Sequence, residues 1–168
     1  MSGQDSLREH VHIHAPADEV YRQLLALRDH ERWLPRAFRG FAASDDALSF
    51  DLALPLRSER ARLSVSVDDA PNLLVLERAR GPGRGAQDGG ADGAAGADGG
   101  SLAALSWALH SEAAGEVHVT VEALYRPAGG PLGALAESLL YRSQRRQAFR
   151  DALWRLKLLV ERPLRDSA

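Results

Sequence analysis

The chain of 168 residues contains no cysteine. Disulfides, thiolate metal ligands and cysteine nucleophiles are therefore excluded. It also lacks an excess of either charge: 21 Lys and Arg stand against 23 Asp and Glu, a formal net charge of −2. General attraction to nucleic-acid phosphate is not expected, and any basic surface must be local. No run approaches the ~18 apolar residues of a membrane span, and the opening MSGQDSLREH has no apolar core of the kind a secretion signal needs. A cytoplasmic location, without nucleic acid or stable membrane insertion, is the expectation. Glycine is scarce outside one stretch, residues 81–100, which holds nine of the fifteen. That stretch also lacks aromatic and β-branched residues, so it reads as a flexible insertion within a single domain spanning 1–168. Its Asp88, Asp92 and Asp98 do not have the alternating ligands and terminal Glu of a calcium loop.

The whole chain is 45% hydrophobic and 26% charged, the composition of a globular domain. In LREHVHIH (7–14), Val11 and Ile13 alternate with His10, His12 and His14, which is the period of a half-buried strand. Pro16, Asp18 and Glu19 open a helix carrying Val20, Leu24 and Leu27, predicted to end near Arg28. A second helical turn through His30, Trp33 and Leu34 stops at Pro35. Strands are predicted over 37–44, 47–54, 57–68 and 72–80, then around Leu105–Leu109 and Val117–Tyr125. Pro127 and Gly129-Gly130 break the sheet. From Leu132 to Arg162 the period becomes helical, with Leu135, Leu139, Phe149, Leu153, Leu156 and Val160 on one stripe. About 29 residues of helix span about 43 Å, enough to cover one face of the sheet.

HIHAPADEVYRQL followed by HERWLP resembles the opening of the SRPBCC superfamily, the START-like and polyketide cyclase/dehydrase proteins. YRPAGGPLGALAESLL and LWRLKLLVE are similar to its Gly-Gly junction, last helix and terminal pattern, here Leu153, Leu156, Lys157 and Glu161. The resemblance implies an α+β helix-grip fold: a seven-stranded antiparallel curved sheet wrapped around the long C-terminal helix, with two short helices after strand 1. It also implies an apolar cavity between sheet and helix. The Leu63/Val65/Val67 and Val117/Val119/Val121 faces would then point inward, and the glycine-rich insertion would join strands five and six.

Within that cavity Trp33, Phe50, Val65, Trp107, Val121, Tyr125, Leu139 and Phe149 are the expected apolar walls, with the Tyr125 hydroxyl as a polar anchor. Arg142 and Arg146 fall at the centre of the predicted apolar stripe. A buried guanidinium must reach solvent, meet a carboxylate or face a wet cavity. Holding the anionic head of a ligand is one reading; covering apolar surface with the stems while the heads reach water is the other.

His10, His12 and His14 share one face of the first strand, and His118 belongs to its neighbour in the implied fold. Together they offer nitrogens for a metal, with Glu116 and Glu122 nearby. Two imidazoles on a flat strand make a weak site, so the favoured reading is solvated surface histidines, without metal or other cofactor.

Residues 134–162 carry a local charge of +4. This basic helix offers contact with an anionic surface, a homodimer or another partner, against the plainer reading of a solvated face. Three functions compete: a non-catalytic carrier of a lipid-like or aromatic hydrophobic molecule, an aromatase/cyclase-type enzyme, and an interaction module using the basic helix. The aliphatic inward positions favour the carrier and nominate no catalytic residue.

Overall fold

The computed structural model describes residues 5–79, 102–126 and 130–165. Seven strands form one antiparallel sheet: β1 (Asp5–Ile13), β2 (Phe38–Ala43), β3 (Ala47–Leu54), β4 (Arg57–Asp69), β5 (Leu73–Arg78), β6 (Leu102–Ala113) and β7 (Glu116–Tyr125). Their spatial order is β1-β7-β6-β5-β4-β3-β2. Helix α1 (Ala17–Leu25) and a 3-10 turn (Leu27–Arg32) carry the chain from one sheet edge to the other. A closing helical element, α2 (Gly130–Ala136), a π-helical turn (Glu137–Tyr141) and α3 (Arg142–Arg165), completes the chain's helix-grip architecture. The predicted order of elements is thus observed. The glycine-rich stretch falls between β5 and β6 in the chain and lies outside the described residues, as do Pro127 and Gly129.

The alternation read in the sequence is what shapes the sheet. In β7, Val117, Val119, Val121, Ala123 and Tyr125 are all buried, while the residues between them are half-exposed. β1 aligns Val11 with Val119 and His12 with His118. A two-residue turn, Ala114-Gly115, joins β6 to β7, and Gly115 has a φ of +81°, where a side chain would be strained. On α3, Phe149, Leu153, Leu156 and Val160 are buried. Each such side chain contributes about 1.5–3 kcal/mol of burial free energy, so this half of the helix is held firmly against the sheet.

Three expectations need correction. α1 ends at Leu25 rather than near Arg28, and the 3-10 turn takes over after Ala26. Val67 is 41% exposed and Val65 only half-buried, because a bulge between them in the β4–β5 pairing breaks the alternation. The same bulge precedes Asp68, which accepts a hydrogen bond from the Tyr21 hydroxyl of α1.

The third correction concerns the helix stripe. Leu139 is 65% exposed, Leu135 is exposed as well, and Arg142 and Arg146 lie at the surface. The buried face instead carries Glu137, Tyr141, Arg145, Ala148 and Ala152 beside the expected Phe149 and Leu153. Two physical causes combine. Ala148 and Ala152 are small enough for the helix to approach the sheet along their side, which rotates the buried face away from the leucine stripe. The π turn also holds an extra residue, so the phase upstream of it changes and Leu135 and Leu139 are turned outward.

Among the described residues no helix is long and apolar enough to cross a membrane.

Candidate binding site between the sheet and the terminal helix

The inner face of β4 carries Glu59, one position along the same alternation as Ala61 and Leu63. Glu59 is 8% exposed and faces Arg145 of α3, which is 2% exposed. Arg145 Nε donates to Glu59 Oε2 at 3.2 Å, and a second guanidinium nitrogen reaches Glu59 Oε1. The remaining arm donates to buried Glu137 in the π turn. Arg57 completes the group by pairing with Glu59 while its guanidinium lies 4.3 Å from the Tyr141 ring. The Arg145 guanidinium is likewise 4.3 Å from the Tyr125 ring. Two cations thus face two carboxylates between two phenol rings, a compensated arrangement that a dry interior tolerates.

Tyr125 ends β7 in full burial, and its hydroxyl has no hydrogen-bond partner among the described residues. Burial raises its pKa, with Arg145 and Arg142 pulling the other way, so the phenol is a neutral donor at pH 7. Trp33 and Trp107 meet edge to face at 5.8 Å, and neither indole N–H finds a partner among the described residues. Beside them His30 packs against Trp33 at 4.6 Å and donates from Nε2 to the Leu24 carbonyl at 2.7 Å. Burial lowers the His30 pKa from 6.5 to about 4, which keeps the ring neutral. Phe38 bridges the layers, meeting Phe50 of β3 at 5.0 Å and Phe149 of α3 at 5.6 Å.

Of the residues singled out in the sequence, Trp33, Phe50, Trp107, Val121, Tyr125 and Phe149 lie in this interior. Val65 stands half-buried at its edge. Leu139, Arg142 and Arg146 do not belong to it. Arg142 and Arg146 instead border an outer hollow of about 340 Å³ along the helix, with Ser138, Gln147 and Arg150. Arg146 meets the carboxylate option: its Nε lies 2.9 Å from Glu9 Oε1, and Arg150 reaches the other oxygen at 3.3 Å.

Sequence reasoning missed Glu59, Arg145 and Glu137. Alternation through Ala61 and Leu63 extends back to Glu59, and an acid at an inward position demands a cation. No comparable signal marks the π turn that brings in Glu137.

On the opposite face of the sheet the histidines do converge. His12 and His14 of the first strand segment stack at 5.3 Å, and His10 stacks on His118 at 5.1 Å. Glu112 lies 3.5 Å from His12 Nδ1 and 3.7 Å from His118 Nδ1. Glu116 lies 3.7 Å from His12 Nε2 and 3.4 Å from His14 Nδ1. The helix holds this strand end in place. Lys157 Nζ donates to the His12 carbonyl at 2.6 Å, and Glu161 accepts from the His14 amide at 2.9 Å. Burial opposes the Glu161 charge, but the His14 amide and Lys157 together leave its pKa below the ordinary value.

Neither family models nor curated protein sequences match the chain. Solved structures share its fold. The Zhui aromatase/cyclase from Streptomyces sp. R1128 superposes with a TM-score of 0.72 at 12% identity, over 99% of each chain. A START superfamily protein from Mycobacterium smegmatis gives 0.61 at 12%, over 95% of this chain and 99% of that one. KanY protein gives 0.70 at 17%, over 95% of this chain and 99% of that one. The likeness is one of fold, the helix grip that the sequence resemblance implied.

Proposed function

We propose that the protein binds a hydrophobic small molecule, lipid-like or aromatic, in a cavity between the concave sheet face and α3. The observation that carries this reading is the set of buried donors on that face, the Trp33 and Trp107 indoles and the Tyr125 hydroxyl, which no described protein group satisfies. Buried donors ordinarily have partners, and a carbonyl or hydroxyl on an otherwise apolar ligand provides them. Because Arg57 and Arg145 are matched by Glu59 and Glu137, the interior favours a neutral polar group over an anionic one. An anionic head group fits the outer hollow beside Arg142 instead. The exposed Leu135, Leu139 and Leu140 next to the π turn form an apolar approach at this end of the helix.

The test uses Trp154→Phe protein, which removes an exposed indole so that Trp33 and Trp107 report. A long-chain fatty acid and a hydroxyanthraquinone are titrated, alongside native mass spectrometry of freshly purified protein. Saturable quenching tighter than about 100 μM by one probe is expected. Trp107→Phe, which keeps a ring but removes the N–H, should weaken a carbonyl-bearing probe by about three- to tenfold. Absence of saturable binding by both probes, with no co-purified molecule, overturns the reading.

A cyclase-type activity is the second reading, favoured by one observation: the neutral Tyr125 phenol, without a hydrogen-bond partner among the described residues, beside the Arg145 guanidinium. The phenol supplies a proton donor to an enolate oxygen. Turnover of a polyketide-like substrate that Tyr125→Phe abolishes would support it, and unchanged turnover would remove Tyr125 from the chemistry.

A further inference from the structure

We infer that the outer face of the sheet holds a site for one divalent transition-metal ion, with zinc as the best match, ligated by His12, His14 and Glu116. The three ligand atoms lie within 4.8 Å of one another. Donors bound tetrahedrally at about 2.0–2.1 Å sit about 3.3 Å apart. The separations of 3.4 Å from His14 Nδ1 and 3.7 Å from His12 Nε2 to the two oxygens of Glu116 are close to that value, and side chains on this open face can close the difference.

A second observation points to a ligand independently of the spacing. His12 Nε2 is shielded from solvent and has no hydrogen-bond partner among the described residues, although the residue as a whole is partly exposed. Its other nitrogen, Nδ1, faces Glu112 at 3.5 Å. A carboxylate at one ring nitrogen with the other facing the site is the arrangement by which proteins orient metal-bound imidazoles, and here Nε2 faces Glu116. Preorganisation comes from the backbone. The His12 carbonyl and His14 amide are held by Lys157 and Glu161, and the tight turn at Gly115 places Glu116 at the start of β7, next to the terminal Ile13–Val117 pair.

Imidazole and carboxylate ligands suit zinc, nickel, copper and cobalt, whereas magnesium and calcium prefer oxygen-only sets. Three protein ligands on an open face leave a fourth position for water or for a donor from another molecule. His118 and His10 flank the site through the shared Glu112 and their ring stack, in a supporting position rather than as ligands.

The experiment is calorimetric titration of the full chain with Zn²⁺, with Mg²⁺ and Ca²⁺ as parallel arms and Co²⁺ absorption as a report on geometry. One Zn²⁺ per chain with a Kd near or below about 10 μM is expected, together with tetrahedral Co²⁺ bands. His12→Ala, His14→Ala and Glu116→Gln should each weaken Zn²⁺ at least tenfold. Glu112→Gln should weaken it about tenfold while the stoichiometry stays at one. Circular dichroism checks that each variant is folded, and ¹⁵N shifts of the His12 and His14 rings in unmodified protein locate the ion without any substitution. Binding weaker than about 1 mM, equal binding of Mg²⁺, or Zn²⁺ affinity unchanged in folded His14→Ala protein overturns the site and leaves histidine–glutamate ion pairs alone.

Discussion

The two ends of the terminal helix solve the same problem in different ways. Both must hold charge against an apolar sheet. At the far end Lys157 and Glu161 pair with each other at 3.1 Å and hold the His12 carbonyl and the His14 amide at the end of β1. At the near end Arg145, Glu59 and Glu137 are sealed among Tyr125, Tyr141 and Arg57, and a π turn is what brings Glu137 to them. The first arrangement anchors a strand. The second sets charge within the interior, where three aromatic donors lack hydrogen-bond partners among the described residues. Charge at a layer's margin thus serves position, and charge in its depth is matched by charge.

The sharpest way to break that contrast is Arg145→Met. It leaves Glu137 and part of Glu59 uncompensated in a buried setting, and should cost about 3–5 kcal/mol in chemical denaturation. Adding Glu59→Gln and Glu137→Gln should recover much of the loss, since the destabilisation comes from the stranded charge.

His30, which belongs to neither end, provides a reference for a neutral buried polar group. Its pKa is 6.5 unfolded and about 4 folded. Between those values the unfolded chain binds a proton that the folded chain does not, so this contribution is complete above pH 6.5. It is lost as pH falls toward 4, by about 3 kcal/mol in all. Denaturation of His30→Gln protein across the same range should show a correspondingly shallower pH slope.

The smallest effect is expected at the far end. Lys157→Met should cost about 2 kcal/mol. It should also speed hydrogen exchange along the end of β1 without altering the interior aromatic contacts. Equal losses for Lys157→Met and Arg145→Met would erase the distinction between the ends.

Most of the architecture was legible because burial imposes a period. Val117 through Tyr125 alternate without interruption, and the structure buries every second residue there. The long helix was equally plain in extent, but its rotation was not. Leucine marks hydrophobicity without saying which side meets the sheet, and alanines such as Ala148 and Ala152 carry a weak periodic signal while permitting the closest approach. The rotation decides that Arg145 and not Arg142 or Arg146 is buried, and a π turn, which has no compositional signature, turns Leu139 outward. The outward histidines were visible as a strand face. Their convergence with Glu112 and Glu116 depended on a hairpin register that residue types alone do not specify.

Strand β1 has a consequence for biosynthesis. Among the described residues it pairs with β7 alone, and its Arg8–Glu122 contact spans 114 residues of chain, while those that Lys157 and Glu161 make at its end span 145 and 147. Those separations mean that the strand gains its partners only after β7 and the terminal helix have been synthesised and brought back to it. Its exposed histidines and charged neighbours help it remain soluble during that delay.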